Sequence, residues 1–252
     1  MRFASLGSGS RGNGTLVESS DTCLLIDCGF TVKETERRLA RLGRCVEDLS
    51  AILVTHEHSD HIKGVGPLAR KYKVPVYASH GTAQYEGIAG LSALHEVNTH
   101  GTFLVGNIEI SAVAVPHDAR EPCQYVFDHR ERRLGLLTDL GSITPFVVEQ
   151  YRACDALVLE FNHDSDMLAV GPYPSGLKRR VGGDWGHLNN RQAAQLLSMV
   201  EQARLQHVVM AHISEKNNTA ALAEQALRTV MTSCEAVVSA DQEGGFDWLA
   251  IV

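Results

Sequence analysis

The sequence predicts an α/β (α+β) protein in which two mixed sheets pack together with helices outside. Two observations carry this. Short apolar runs at strand spacing crowd the first half, and strands alternate with helices in the last third. A third observation, the lack of any linker, repeat or low-complexity tract, argues for a single domain over 1–252.

Taken in order, "RFASLG" reads as a strand entering the Gly/Ser-rich loop "GSGSRGNG". "TLVESS" and "TCLLIDCG" follow as strands around the turn "SSDT". "TVKETERRLARLG" is helical. Thr31 and Glu34 form a capping box, Val32, Leu39 and Leu42 share a face, and Gly43 is the stop. "AILVT" is a buried strand, "GVGPLARKYK" a helix and "VPVYAS" a strand. The middle gives the strands "TFLVG", "IEISAVAVP", "CQYVFDH" and "RRLGLLTD". Then come a helix near 144–151, strand "ALVLEF", an irregular section 161–188, a helix over 189–203, strand "HVVMA", a helix over 219–231, and strands "AVVSA" and "FDWLAIV".

Composition excludes several classes. An apolar fraction of 44% and a charged fraction of 21% are those of an ordinary globular chain long enough to bury a sizeable core. No apolar run approaches the roughly 20 residues that span a bilayer. The start, "MRFASLGSGSRGNG", lacks an apolar signal region and a cleavage site. Cys23, Cys28, Cys45, Cys123, Cys154 and Cys234 form no CxxC pair, so reduced thiols in a cytoplasmic protein are expected. A net charge of −7 argues against a surface coated for nucleic acid but leaves room for a local basic groove.

Of the twelve histidines, three fall in "ILVTHEHSDHIKGVG". His56, His58, Asp60 and His61 crowd six positions straight after a strand, where the chain turns and sites are built. Imidazole and carboxylate suit Zn, Mn or Fe. A charged, solvated loop is the plain alternative. Further strand tips weigh against it: His117 ends "ISAVAVPH", Asp139 ends "RLGLLTD", His212 ends "HVVMAH", and Asp27 has the same form in "LLIDCG".

This pattern resembles the metallo-β-lactamase superfamily. The residues carrying the likeness are "LGSGSRGNGT", "LLIDCGF", "THEHSDHIKGVGPLARKYKVPVYAS", "PHDAREP", "LLTDLG", "LEFNHD", "GPYPSGLKRRVGGDWGHLNN" and "AHISEKNN", spread over essentially the whole chain. Within the superfamily the chain is most similar to the YycJ/WalJ-like group of bacterial exonucleases. The resemblance implies a four-layer αβ/βα sandwich with two divalent metal ions, Zn or Mn, in a cleft at the sheet edges. It implies that His56, His58 and His117 hold the first metal, that Asp60, His61 and His212 hold the second, and that Asp139 bridges them. Asp27 would orient the histidine loop from behind. Ser8, Ser10 and Asn13 would lie at the cleft rim.

The implied activity is phosphodiester hydrolysis, with DNA as substrate and an exonuclease as the leading form. Two metals about 3.5–4 Å apart would activate a bridging water and neutralise phosphoryl charge, with Asp60 in the catalytic set. His187, in "GHLNNRQAAQLL", resembles the histidine of ribonuclease Z-like enzymes and is the first choice to protonate the leaving oxygen. His163, with Glu160 as partner, is the second. Lys178, Arg179 and Arg180 form a basic run in a loop expected to reach the cleft and bind phosphates, with Tyr173 able to stack on a base. Arg37, Arg38, Arg41 and Arg44 are better explained as a solvated helix face. Ribonuclease J-like enzymes carry a β-CASP insertion between the bridging Asp and the last His. Here only 72 residues separate Asp139 from His212, too few for it. A small phosphodiester is therefore the enzyme alternative, a thioester or lactone another, and a non-catalytic metal module a third.

Overall fold

The computed structural model describes residues 1–231 and 236–252, so the expected free thiol of Cys234 lies outside the described residues. Strands β1 (Arg2–Gly7), β2 (Gly14–Ser19), β3 (Thr22–Ile26), β4 (Ala51–Leu53), β5 (Val76–Ser79) and β6 (Leu94–Val97) belong to a first sheet. Strands β7 (Thr102–Val105), β8 (Ile108–Ala114), β9 (Cys123–His129), β10 (Arg132–Leu137), β11 (Ala156–Glu160), β12 (His207–Ala211) and β13 (Ala236–Ser239) make the second. The last strand, β14 (Phe246–Ala250), returns to the first sheet beside β1. Among the described residues each sheet has seven strands in six pairs, three antiparallel and three parallel; the parallel part runs β3-β4-β5-β6 in one and β10-β11-β12-β13 in the other.

Period-two side-chain alternation explains the layering. Phe3, Val17, Leu24 and Ile26 point inward and meet Tyr125, Phe127, Leu136 and Val158 of the second sheet. Their neighbours Ala4, Leu6, Leu16 and Leu25 point outward beneath helices α1 (Val32–Arg41) and, past the one-turn α2 (Ser59–Ile62), α3 (Val65–Tyr72). Past the one-turn α4 (His80–Ala83), helix α5 (Pro145–Tyr151) begins the cover of the second sheet. Two short helices follow, α6 (Ser165–Val170) and α7 (Ser175–Val181), then α8 (Asn190–Ser198) and α9 (Ala220–Arg228) complete that cover through Leu196, Leu197, Ala223 and Leu227. The order helix, sheet, sheet, helix is the four-layer sandwich. Each fully buried Leu or Ile here contributes about 1.5–3 kcal/mol.

Four local expectations change. Thr31 Oγ1 does accept the Glu34 N–H, at 3.4 Å, but the Glu34 carboxylate bonds Arg37 and Arg38 instead of returning to the cap. The section 161–188 is not irregular, because it holds α6 and α7. The helix expected over 189–203 stops at Ser198, with a separate turn at Gln202–Arg204. Among the unforeseen elements is strand β6, whose residues follow no apolar alternation.

Register positions the site. Ile26 pairs with Leu53, Leu137 with Leu159, and Glu160 with Ala211. The C-terminal ends of β3, β4, β10, β11 and β12 therefore lie side by side, where open parallel sheets place their ligands.

Candidate metal centre

The residues leaving those strand ends form one cluster. The turn after β3 and the loop before β2 are both pinned to the histidine loop: Cys28 N donates to His61 O at 2.7 Å and Asn13 N to Asp60 O at 2.8 Å. Gly29 makes this approach possible, since a Cβ there would stand 1.9 Å from Asp60 O. Asp27, Asp139 and His212 all take left-handed backbone, with φ of 61°, 56° and 51°. That conformation costs a non-glycine residue about 1–2 kcal/mol, so the surrounding packing over-determines it; it turns Asp139 and His212 toward each other and Asp27 toward the back of His61.

Hydrogen bonds fix where the imidazole protons sit. Asp27 accepts from Thr55 N and from Thr55 Oγ1, each at 2.8 Å, and faces His61 Nδ1 at 2.8 Å. A carboxylate only accepts, so His61 Nδ1 carries a proton there. The Thr55 hydroxyl proton is committed to Asp27, so its oxygen accepts from His56 Nδ1 at 3.0 Å. His117 Nδ1 donates to Gly186 O at 2.9 Å, and His58 Nε2 donates to Asp118 O at 3.2 Å. Neutral imidazoles with these protons point lone pairs inward from His56 Nε2, His58 Nδ1, His61 Nε2 and His117 Nε2.

Those lone pairs converge. His58 Nδ1 and His117 Nε2 face each other at 3.3 Å, and His61 Nε2 is 3.3 Å from Asp139 Oδ2. His212 Nε2 lies 3.5 Å from Asp60 Oδ2 and 3.6 Å from Asp139 Oδ1. Among the described residues, the buried atoms His56 Nε2, Asp139 Oδ2 and His212 Nε2 have no hydrogen-bond partner. Buried polar atoms seldom go unpaired, and acceptors aimed at acceptors are what a cation would reconcile. Donor atoms close enough to share an ion fall into overlapping groups, among them His56–His58–His117, Asp60–His61–His212 and His56–His61–Asp139. The donor set fits a divalent metal.

Electrostatics agree. Burial disfavours charge on His212, but Asp139, Asp60 and Glu160 outweigh it and lift its pKa to about 10. Burial likewise works against a charged His61, yet Asp139, Asp60 and Asp27 push it well above the ordinary value. Burial lowers His56 and His117. The pocket therefore draws positive charge to its carboxylates.

His187 stands in the cluster. Its Nδ1 is 2.7 Å from Glu160 Oε1, and its ring stacks on His212 with centroids 5.2 Å apart. Glu160 is fully buried and also accepts from Leu140 N and Leu188 N. Glu160 thus partners His187 rather than His163. His163 does not join the centre: it is buried against Asn162 and beneath Gly182, and burial lowers its pKa to about 4. It is neutral at pH 7 and has no acidic proton to give.

The cleft over the centre, of about 340 Å³, is lined by Ser10, Asp60, Asp139, Tyr173, Arg180 and His187 among others. The basic run is helical rather than a loop, and only Arg180 of the three lines the cleft. Lys178 bonds Ala169 O instead. Ser8 receives the His212 N–H and Asn13 Nδ2 reaches His61 Nε2 at 3.1 Å, so both support the cluster from within. Arg37, Arg41 and Arg44 pair with Glu34, Asp247 and Glu18, and Arg38 is buried against backbone carbonyls. Three participants have roles that the motifs holding them do not reveal. Thr55 relays between Asp27 and His56, Asn162 Nδ2 touches His212, and Asp118 contacts His58 and Arg180. Each is an ordinary polar loop residue whose neighbours are distant in the chain.

No helix among the described residues is long and apolar enough to cross a membrane. Comparison with known proteins fits this geometry. The family described as beta-lactamase superfamily domain matches residues 22–213. The chain is 39% identical to exodeoxyribonuclease YycJ of Bacillus anthracis, covering 92% of this chain and 89% of that one. It is 36% identical to exodeoxyribonuclease WalJ of Streptococcus pneumoniae, covering 96% and 92%. The crystal structure of the metallo-beta-lactamase fold protein YhfI from Bacillus subtilis superposes with a TM-score of 0.75 at 17% identity over 99% of both chains, which shows the shared fold. The chain belongs to the metallo-β-lactamase superfamily and is a homologue of the YycJ and WalJ exodeoxyribonucleases.

Proposed function

We propose that this chain, one domain over 1–252 without a β-CASP insertion, is a DNA exonuclease that hydrolyses phosphodiesters with two divalent ions, Zn or Mn. His56, His58 and His117 would hold one ion, Asp60, His61 and His212 the other, and Asp139 would bridge them. The observation that carries the reading is the convergence of inward imidazole nitrogens on Asp139, where His56 Nε2, His212 Nε2 and Asp139 Oδ2 are buried without a hydrogen-bond partner among the described residues. Such ions, when bound, supply positive charge to phosphoryl oxygens and lower the pKa of water.

The chain's own groups do the rest. Asp27 and Thr55 hold two imidazoles in the ligating tautomer. His187 keeps Nδ1 against Glu160, which leaves Nε2 as the nitrogen to give a proton to the leaving oxygen. Burial would raise the Glu160 carboxyl, but His187 and His212 hold it well below the usual range, so it stays charged and accepts from His187 Nδ1. Arg180 and Tyr173 stand in the cleft to meet phosphate and base. The relatives' exodeoxyribonuclease names support DNA over other esters. Buried free thiols at Cys23, Cys28, Cys123 and Cys154 suit a reducing cytoplasm.

The test is incubation with Mn or Zn and end-labelled single- and double-stranded DNA, beside bis(p-nitrophenyl) phosphate and an Asp60→Ala control. Stepwise nucleotide release that falls at least 100-fold in the control is expected. Cleavage of the small ester alone would replace the exonuclease with a small-molecule phosphodiesterase. Cleavage of neither by metal-loaded protein would redirect the site to thioesters or lactones.

A further inference from the structure

The side chain of Asp118 has no part in the scheme above, yet it stands between the histidine cluster and the cleft-lining Arg180. Its backbone oxygen accepts from His58 Nε2 at 3.2 Å. Its Oδ1 stands 3.6 Å from His117 Nε2 and 3.7 Å from His58 Nε2. Its Oδ2 accepts from Arg180 Nε, which reaches over from α7. Among the described residues the Arg180 guanidinium has no other hydrogen-bond or ion-pair partner, and the side chain is 56% exposed in the cleft it lines.

An exposed pair of this kind contributes little stability, about 0–1 kcal/mol. What it fixes is direction. A guanidinium has five N–H donors in a rigid plane. With Nε committed to Asp118, the two terminal amino groups remain open as a fork, the shape that grips a phosphate at two oxygens. The scissile phosphate would sit at the carboxylate and imidazole centre, whereas Arg180, half exposed in the cleft, is anchored on Asp118 and not on that centre.

We infer that Asp118 is a positioning residue that aims Arg180 at a phosphate flanking the scissile one, so that the cleft selects chains of two or more phosphodiesters over isolated ones. The inference rests on the phosphodiesterase reading. It extends that reading by naming the substrate class and the pair that reads it. Lys178 and Arg179, outside the cleft lining, take no part in the selection.

The test compares kcat/KM for a short thymidine oligonucleotide with that for bis(p-nitrophenyl) phosphate, in wild type, R180A, R180K, D118A and the double variant, with metal content measured on each. In R180A the ratio should fall fivefold or more, through KM for the oligonucleotide. R180K should recover part of it, as a point charge without the fork. D118A should shift the ratio in the same direction, and the double variant should be no worse than R180A, because Asp118 acts through Arg180. A fall of less than fivefold in R180A overturns the inference, as does a double variant in which the single effects multiply. A D118A protein that loses metal and slows on both substrates alike overturns the positioning role. Wild type that binds metal and hydrolyses neither substrate overturns the phosphodiesterase reading instead.

Discussion

Asp27→Asn isolates one proton. Asp27 is 3% exposed and holds φ at 61°, a conformation asparagine tolerates, so the substitution keeps volume and backbone. It changes only what the side chain can accept. The carboxylate takes Thr55 N, Thr55 Oγ1 and His61 Nδ1, each at 2.8 Å. The backbone N–H of Thr55 cannot give up its proton, so the amide oxygen of Asn must stay there. The amide NH2 then faces His61 Nδ1, donor against donor. Relief requires the His61 proton to move to Nε2, the nitrogen aimed at Asp139. Loss of such an orienting partner lowers metal affinity about 10–100-fold. That corresponds to about 1.4–2.8 kcal/mol. Chelator-competition titration of Zn at pH 7, with circular dichroism as a folding control, measures it. Affinity within twofold of wild type in a natively folded variant would refute the tautomer argument.

Gly29→Ala drives a Cβ to 1.9 Å from Asp60 O; overpacking of this kind costs about 1–3 kcal/mol, and the variant should melt several degrees lower, with an unchanged Tm contradicting the close approach. Saturating divalent metal at 100 times its Kd adds about 2.7 kcal/mol to the stability of the protein. Chelation with EDTA should therefore lower Tm by roughly 5–10 °C, and an unmoved Tm contradicts metal binding to the folded state. His80 Nδ1 lies 2.8 Å from Glu96 Oε2, and that bond raises its pKa. The stability gained is complete below the unfolded histidine value and is lost as pH rises through the raised one. Proton NMR should place the His80 midpoint above about 6.5, and Glu96→Gln should return it there; a midpoint that Glu96→Gln leaves in place contradicts the pairing.

Much of this was legible in the chain. The strands of both sheets, β6 apart, announce themselves by β-branched and leucine-rich runs, and the ligand-bearing tips follow because parallel strands end in register. His56, His58, Asp60 and His61 stand out because four ligand-type side chains in six residues have few other uses. The section 161–188 was not legible, for a physical reason. Gly171, Pro172, Pro174, Gly182 and Gly183 break any periodic pattern, and α7 has no buried residue, so it carries no amphipathic signal. Position in three dimensions also reassigned Glu160. Its side chain meets the ring of His187, 27 residues later, and not that of His163, three residues away. Sequence proximity suggested the pairing that burial and strand direction then denied. Asp118 and Asn162 were invisible for the same reason: their importance lies in which distant side chains they touch.

The most direct test of the central claim is metal stoichiometry. Inductively coupled plasma mass spectrometry on metal-loaded protein, dialysed free of excess ion, should find two divalent ions per wild-type chain and fewer in Asp139→Ala, the shared ligand. Fewer than two ions in natively folded wild type, or two retained without Asp139, would contradict the paired centre on which the proposed hydrolysis depends.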